Sequence, residues 1–117
     1  MDAVAGPRGR RRVPAPWRIG VSATTVRADP GTLHPVEAAL VDGSRPDRRA
    51  ELATGRSCAR IALRQIGVDH ADRPILADEH GAPRWPKGVA GSITHTTGWT
   101  GAVAARRMQG TSMRPTV

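Results

Sequence analysis

The chain of 117 residues is long enough for one small domain, and a domain of this size buries only about two thirds of the surface that the unfolded chain exposes. It has no Phe, no Tyr and three Trp. Its core must therefore be built from Leu, Val, Ile and Ala, which bury less area per residue than aromatic side chains. The formal net charge of +8 comes almost entirely from arginine, whose planar guanidinium favours phosphate-like anions. A GC-rich coding sequence is the alternative source of this bias.

Cysteine usage and hydropathy exclude several classes of protein. Cys58 is the only cysteine, which excludes an internal disulfide and a cysteine-based zinc site and is typical of a reducing compartment. No apolar run approaches the length of a membrane span or of a signal-peptide core. We therefore expect a soluble, cytoplasmic protein.

The first part of the chain predicts an arm, a strand and a short helix. Residues 1–16 are rich in Pro, Gly and Arg and lack hydrophobic periodicity, which predicts a disordered basic arm. Residues 18–27 are rich in Val, Ile and Thr and are followed by the turn sequence DPG, so we expect a strand. Residues 34–41, HPVEAALV, favour a short helix because proline is accepted in a first helical turn.

A long helix between Ser44 and Gly67 is the clearest predicted element. Ser44 stands three residues before an Asp, like a capping box, and Gly67 is placed to end the helix. At about 100° per residue the helix has one apolar face: Leu52, Cys58, Ala59, Ala62, Leu63 and Ile66. Arg49, Arg56 and Arg60 cluster at the border of that face. They predict either a cationic ridge that binds anions or an ordinary solvated face.

The region after the helix predicts a turn and a β-hairpin. Gly81 marks a turn between short extended pieces, and residues 91–96 and 99–105 alternate like strands joined around Thr97-Gly98. Side chains alternate along a strand, so the first run has two faces: Ser92, Thr94 and Thr96 on one, Ile93 and His95 on the other. We expect Trp85 and Trp99 to cover the edges of the hairpin core rather than to stack on an adenine.

His95, in the sequence GSITHTTG, has several alternative roles. A catalytic triad would need an activated nucleophile, and the G-x-S-x-G pattern is absent. A zinc site would need three or four ligands, and the other histidines and Cys58 have no metal-site spacing. A phosphate clasp needs only hydroxyls, accessible backbone and nearby cations, which this strand and the helix arginines supply. The pattern therefore favours a phosphate clasp or a core histidine.

Together, the long helix and the hairpin resemble the first half of the 4′-phosphopantetheinyl transferases, in particular the actinobacterial and enterobactin-synthetase-associated branch. The resemblance runs from about Leu33 to Arg107, and its segments in order are RRAELATGRSCARIALRQIGV, PIL, GAPRWPKGVAGSITH and GAVAARR. It implies an α+β fold of two similar lobes with coenzyme A between them. This chain would supply one lobe, a small antiparallel sheet packed on a long helix. The implied division is a basic arm at 1–16, an N-terminal lobe at 17–107 and a divergent tail at 108–117.

The resemblance also implies an activity and a set of site residues. Phosphopantetheine would pass from coenzyme A to a serine of an acyl or peptidyl carrier protein, as in siderophore or polyketide biosynthesis, with Mg²⁺ assisting. The family arginines that hold the nucleotide phosphates match Arg48 and Arg56. The loop that lines the nucleotide matches Ala77, Asp78, Glu79 and His80, although relatives often carry basic residues where this chain has acids. The hydroxyl and imidazole that clasp a phosphate match Thr94 and His95.

The chain departs from the family after the hairpin. There the family continues into a G-[IV]-D-x-[ED] strand and later a W-x-x-K-E helix, whose side chains hold Mg²⁺ and supply the base. No Asp or Glu follows Glu79 in this chain. We therefore expect an incomplete enzyme that exposes one face of its lobe and needs a complementary C-terminal half, as a truncated or frameshifted gene would encode.

A second hypothesis comes from the basic arm. The sequence RGRRR and the high isoelectric point are typical of proteins that bind polyanions, and a small nucleic-acid-binding module would show affinity that falls steeply with salt. The lack of an aromatic stacking set argues against recognition of single strands.

Overall fold

The computed structural model describes residues 16–108, so the predicted arm and tail lie outside the described residues except for one residue of each. The helices and strands, in chain order, are β1 (Trp17–Thr24), α1 (Pro35–Ala38), α2 (Pro46–Gln65), β2 (Val89–Thr96) and β3 (Trp99–Arg107). Short 3-10 turns, Pro30–Thr32 and Ala39–Val41, stand on either side of α1. The predicted α+β class is confirmed. Within the described part of the chain, neither helix combines the length and apolarity needed to cross a membrane.

The three strands form one antiparallel sheet with β3 in the centre and β1 and β2 at the edges. The predicted hairpin is present as β2 and β3, and Gly98 in its two-residue loop has a φ of 73°, a conformation that favours glycine. β1 is shorter than the predicted strand at 18–27. Thr24 Oγ1 accepts a hydrogen bond from the N–H of Val26, and this local bond competes with continued strand pairing.

Helix α2 lies across one face of the sheet, against β1 and β3. Every residue of its predicted apolar face is buried: Leu52, Cys58, Ala59, Ala62, Leu63 and Ile66. The sheet beneath the helix is built from small residues, and Gly20, Ala104 and Gly91 form one row across the three strands. A Cβ at Gly20 would lie 2.1 Å from the carbonyl oxygen of Ala62. Glycine at this position therefore lets the helix lie close to the sheet.

The predicted capping box at the start of α2 is wrong. The N-cap is Arg45, with no side-chain hydrogen bond, and Pro46 occupies the first turn. Proline is favoured at the first helical position, which makes Arg45 rather than Ser44 the preceding cap. Asp47, the expected partner of Ser44, instead pairs with Arg27 at 3.3 Å.

The predicted end of α2 at Gly67 is confirmed. Gly67 has a φ of 81°, and its N–H donates to the carbonyl oxygen of Arg64, while the N–H of Val68 donates to that of Leu63. This pair of bonds is a Schellman motif, which satisfies carbonyl groups that the helix itself leaves unpaired.

The sheet face opposite α2 is left uncovered within residues 16–108. Several large apolar side chains are exposed there: Trp17, Ile19, Val21, Trp99 and Val103. The ring of Trp99 packs on Gly101, where a Cβ would lie 2.6 Å from it. This face is the candidate for the exposed lobe surface that the sequence predicts.

Candidate anion-binding site

A cavity of about 700 Å³ opens between the first half of α2, the loop of residues 77–85 and the edge strand β2. Its volume is in the range of small-molecule sites. Five of the predicted site residues border it: Arg48, Arg56, Ala77, His80 and His95. The structure thus brings two arginines of the helix, Arg48 and Arg56, and the histidine of β2 to one place.

His95 reaches this cavity from the helix-facing side of β2. A Cβ on Gly55 would lie 3.1 Å from His95 Cε1, so the imidazole lies over α2 where the helix has no side chain. Gly55 directly precedes Arg56, and the Gly-Arg pair therefore provides both room for the imidazole and a cation beside it. His95 is exposed, so it is not the core histidine of the alternative interpretation.

Arg56 is only 5% exposed, although it borders the cavity. Its Nε donates a hydrogen bond of 2.7 Å to the carbonyl oxygen of Ile75. Among residues 16–108 its two terminal nitrogens have no hydrogen-bond partner, which leaves their four N–H groups available to an anion. The solvated-face alternative is wrong for this arginine.

The charges around Arg56 favour an anion. Burial lowers the pKa of Arg56, the negative charge of Glu37 opposes that effect, and the positive charges of Arg60 and Arg48 add to it. Arginine stays protonated at neutral pH in spite of such shifts. A bound phosphate would therefore relieve the repulsion among neighbouring guanidinium groups.

The other arginines at the border of α2 have different surroundings. Arg48 is about half exposed and pairs with Glu51 at 3.1 Å, an exposed pair of little strength that an anion can replace. Arg60 is bound to the buried Glu37, which removes it from the set of available cations. Arg49 does not border the cavity.

Asp78 builds the loop on the other side of the cavity. Its carboxylate accepts hydrogen bonds from the backbone N–H groups of His80 at 2.8 Å and Ala82 at 2.9 Å. Glu79 is exposed and lies 3.6 Å from the imidazole of His80. Of the four predicted loop residues, Ala77 and His80 border the cavity, whereas Asp78 and Glu79 do not.

The structure does not bring Thr94 into this cavity. Thr94 pairs with Gly101 and lies on the opposite face of the sheet, where it borders a small cavity of about 90 Å³ together with Trp99. Neighbouring residues of a strand point to opposite faces. The alternation visible in the sequence therefore separates Thr94 from His95.

An apolar wall of the cavity was not predicted. Val41, Leu52 and Trp85 border it. Trp85, which we expected at the edge of the hairpin core, packs on Gly91, where a Cβ would lie 2.4 Å from its ring. Gly91 is therefore the signal in the sequence that a large side chain packs on β2.

A buried acid, Glu37, was also missed. Its side chain is fully buried and accepts hydrogen bonds from the N–H of Ile75 at 2.7 Å, from the N–H of His34 at 3.0 Å and from Arg60. Burial by itself raises the pKa of Glu37, but these hydrogen bonds and the charge of Arg60 outweigh burial, so its pKa lies below the ordinary value. The signal in the sequence is an acid at the third position of a helix that begins with Pro35, from which a carboxylate reaches back to the N-cap.

The described residues do not fit a site for Mg²⁺. Within residues 16–108 no three side chains of His, Cys, Asp or Glu lie together in a way that could hold a metal ion. No acid borders the cavity among the described residues, and three acids elsewhere in the lobe already have hydrogen-bond partners: Glu37, Glu51 and Asp78. Ligands for a magnesium ion would have to come from elsewhere.

Comparison with known proteins links this lobe to one enzyme family. The family model of the 4′-phosphopantetheinyl transferase N-terminal domain matches residues 36–105. Over 82 residues the chain is 50% identical to the 4′-phosphopantetheinyl transferase PptT of Mycobacterium tuberculosis, with 68% of this chain and 35% of that protein covered. Over 99 residues it is 41% identical to Svp of Streptomyces mobaraensis, which has the same enzyme name, with 83% and 39% covered. The chain thus spans little more than a third of the length of these relatives.

Solved structures share the fold. The ACPS–CoA complex of Chronobacterium ammoniagenes superimposes with a TM-score of 0.62 at 17% identity, covering 80% of this chain and 98% of that one. A holo-(acyl-carrier-protein) synthase of Bacillus anthracis, in complex with CoA (3′,5′-ADP), has a TM-score of 0.61 at 19% identity, covering 79% and 96%. At these identities the likeness concerns the fold alone.

Proposed function

Because the chain belongs to the 4′-phosphopantetheinyl transferase family and contains its N-terminal domain, we propose that it supplies the coenzyme A-binding lobe of such an enzyme. The observation that carries the proposal is the meeting of Arg48, Arg56 and His95 around one cavity. Coenzyme A carries a pyrophosphate and a 3′-phosphate. Guanidinium groups bind such groups with paired, charge-assisted hydrogen bonds.

Each cation has a defined part in this proposal. Arg56, held at its Nε, presents its terminal nitrogens to a phosphate oxygen pair. Arg48 exchanges its exposed partner Glu51 for a second phosphate, and His95 adds a hydrogen bond from the wall formed by β2. Three contacts of this kind are enough to orient a nucleotide, because each contributes about 1.5–3 kcal/mol.

The loop of residues 77–80 lies beside the nucleotide in this proposal. Ala77 and His80 border the cavity directly, and Asp78 acts by holding the turn that positions them. Glu79 is exposed, and its carboxylate places a negative charge next to the imidazole of His80. Thr94 is left out of the site because it lies on the other face of the sheet.

The proposed reaction modifies a carrier protein. The serine oxygen of an acyl or peptidyl carrier protein forms a bond to the phosphorus that bears the pantetheine arm, the bond from that phosphorus to 3′,5′-ADP breaks, and the serine proton passes to a base. Negative charge grows on the departing nucleotide, where fixed cations stabilise it best. The ligands of Mg²⁺ would come from a complementary C-terminal part, since the described residues form no metal-binding cluster, and the family resemblance assigns the base to that part as well.

We place this activity in the cytoplasm, where carrier proteins are modified and where the buried free thiol of Cys58 stays reduced. The nucleic-acid alternative depended on the arm, whose RGRRR sequence lies outside the described residues. The matched family and relatives do not support it.

Calorimetry with coenzyme A and the full chain tests the binding site. Arg56→Ala should weaken binding by about 10- to 100-fold, because a charge-assisted hydrogen bond contributes about 1.5–3 kcal/mol and 1.4 kcal/mol is a factor of ten. Arg64→Ala is the charge-matched control, since Arg64 is exposed in the last turn of the same helix. Equal losses in both variants would show that affinity follows net charge, and the assigned site would be wrong.

Transfer is tested with an apo carrier protein, coenzyme A and Mg²⁺, with and without the separately produced C-terminal part of a relative. We expect the carrier to gain the mass of phosphopantetheine only when that part is present, and to gain less with Arg56→Ala. If the chain binds coenzyme A but the carrier protein gains no mass, the proposed binding function stands and the proposed enzymatic function is wrong.

A further inference from the structure

We propose that Glu37 is a positioning residue for Arg56, and that it acts through the backbone of Ile75. The choice of coenzyme A as ligand rests on the proposed function, whereas the positioning itself rests on contacts within the chain. Glu37 does not border the cavity, so it does not contact a ligand there and can position one only through another residue.

Three consecutive contacts carry the proposal. The carboxylate of Glu37 accepts a hydrogen bond of 2.7 Å from the N–H of Ile75. The carbonyl oxygen of the same Ile75 accepts a hydrogen bond of 2.7 Å from Nε of Arg56. Arg56 in turn lines the cavity. The backbone of one residue therefore joins the buried acid to the available cation.

Ile75 lies outside regular structure, and two contacts hold it: its side chain is buried in the core, and its N–H donates to Glu37. Between α2 and β2 the chain forms no helix or strand, only an isolated bridge from Ala77 to Pro83. The residue before Ile75 is Pro74, which has no N–H to donate. On the far side of that proline, the carbonyl oxygen of Arg73 accepts a hydrogen bond from Arg60, which is itself bound to Glu37.

The orientation of a guanidinium group decides what it can bind. Its donors form a rigid planar fork, so a hydrogen bond at Nε sets the plane in which the two terminal nitrogens lie. Holding Nε of Arg56 on the Ile75 carbonyl thus restricts the side chain before a phosphate arrives. A ligand then meets an arginine that has already lost most of its conformational freedom, which raises affinity.

Glu37 also carries a charge near Arg56. That negative charge opposes the lowering of the Arg56 pKa by burial, although arginine is protonated at neutral pH in either case. A neutral amide of the same shape, as in Glu37→Gln, would keep much of the packing but lose that charge and one of the two acceptor oxygens. Glu37→Gln therefore distinguishes a role of the carboxylate in positioning Arg56 from a role of the side chain in packing alone.

The first test uses the free protein and needs no ligand. In nuclear magnetic resonance spectra of ¹⁵N-labelled chain, the Nε–H of Arg56 should exchange slowly with water because it is buried and bonded to Ile75. Glu37→Gln should speed that exchange about tenfold or more. The control is Gly67→Ala, which strains the chain just after α2 because Gly67 has a φ of 81°, and it should leave the exchange unchanged. Unchanged exchange in Glu37→Gln, or equal acceleration in both variants, would overturn the proposal.

The second test is a double-mutant cycle read by calorimetry with coenzyme A. Glu37→Gln should weaken binding by about fivefold in the native background and should have no further effect in Arg56→Ala, since residues that act through one another are not additive. A fivefold loss in both backgrounds would show a merely structural role. If Glu37→Gln does not fold, Glu37→Asp, which keeps the charge on a shorter side chain, is run through the same cycle with the same criteria. If the native chain binds no coenzyme A, the proposed function fails, while the exchange measurement still decides the positioning role.

Discussion

On strand β2, His95 faces α2 and borders the cationic cavity, whereas its neighbour Thr94 faces the other side of the sheet beside Trp99. The same contrast holds for the whole sheet. Under α2 the row across the three strands consists of Gly20, Ala104 and Gly91, and the helix lies close upon it. The opposite face carries tryptophan and branched aliphatic side chains, and Ile19 there is 65% exposed.

The comparison shows that small residues allow close packing on the helix-facing side of the sheet. Gly20 admits the backbone of α2, Gly55 admits the ring of His95, and Gly91 admits the ring of Trp85. Each glycine receives a group that a side chain would displace. On strand β1 the large apolar residues Ile19 and Val21 lie outside the core, which agrees with the general observation that much of a folded protein's surface is apolar.

The largest expected effect comes from placing a side chain under the helix. Gly20→Val should lower the free energy of unfolding by about 3 kcal/mol, because overpacking a filled interface forces the backbone apart and the first added carbon would already lie 2.1 Å from the Ala62 carbonyl oxygen. Ala23→Val adds similar bulk to the exposed face of the same strand and should be nearly neutral. Urea denaturation measures both, and similar losses would contradict the assigned faces.

A second effect concerns pH, because the buried acid of the lobe lies on the helix side. The pKa of Glu37 is lowered from 4.5 in the folded chain, so the stability it contributes is present above that value and is lost as pH falls from about 5 through the lower, folded pKa. The charged groups close to the carboxylate of Glu37 are Arg60 and Arg56 of α2. His34 is the N-cap of α1, the helix that contains Glu37.

Urea denaturation between pH 7 and pH 3 checks this prediction. The native chain should lose stability steeply below about pH 5, and Glu37→Gln should show a flatter curve from a lower starting value. The outer sheet face carries no acid among the described residues, so the substitution Val21→Thr there should leave the shape of the curve unchanged. Parallel curves for the native chain and Glu37→Gln would disprove the role of this carboxylate.

A third prediction separates the two neighbouring residues of β2. His95→Ala should weaken coenzyme A binding by about tenfold, the worth of about 1.4 kcal/mol, because the imidazole borders the cavity beside Gly55. Thr94→Ala should leave the affinity unchanged, since Thr94 lies on the opposite face. Calorimetry on both variants is the measurement, and a larger loss for Thr94 would place the ligand on the outer face.

The smallest expected effect is on the uncovered face. Val21→Thr keeps a β-branched side chain at a position that is 56% exposed and should change the free energy of unfolding by less than about 0.5 kcal/mol. Ala104→Ser, which buries a hydroxyl on the helix-facing side of the central strand, should cost about 1–3 kcal/mol. Thermal unfolding compares the two. A loss above about 1 kcal/mol for Val21→Thr would mean that the outer face is covered in solution.

Local pattern was sufficient for most of the fold. The apolar period of α2, its end at Gly67 and the alternation of β2 all depend on residues a few positions apart, and each is present in the structure. The start of α2 was misplaced because Pro46 restricts the first turn more strongly than Ser44 favours a cap. For the site, residue spacing alone did not decide whether the helix arginines bind an anion or form an ordinary solvated face. The family resemblance selected Arg48 and Arg56.

What the sequence determined by itself is therefore the set of elements and the two faces of each, because helical and strand periods are properties of neighbouring residues. Tertiary structure alone decided which cations are available. Arg56 and Arg60 lie one turn apart at the border of the same helix, yet one borders the cavity and the other is bound to Glu37. The difference between the two arginines depends on contacts between residues 19 to 38 positions apart along the chain. These contacts involve a loop whose sequence has no helical or strand period. Only the folded arrangement of that loop, held by hydrogen bonds to buried groups, distinguishes the arginine that borders the cavity from the arginine that is bound to Glu37.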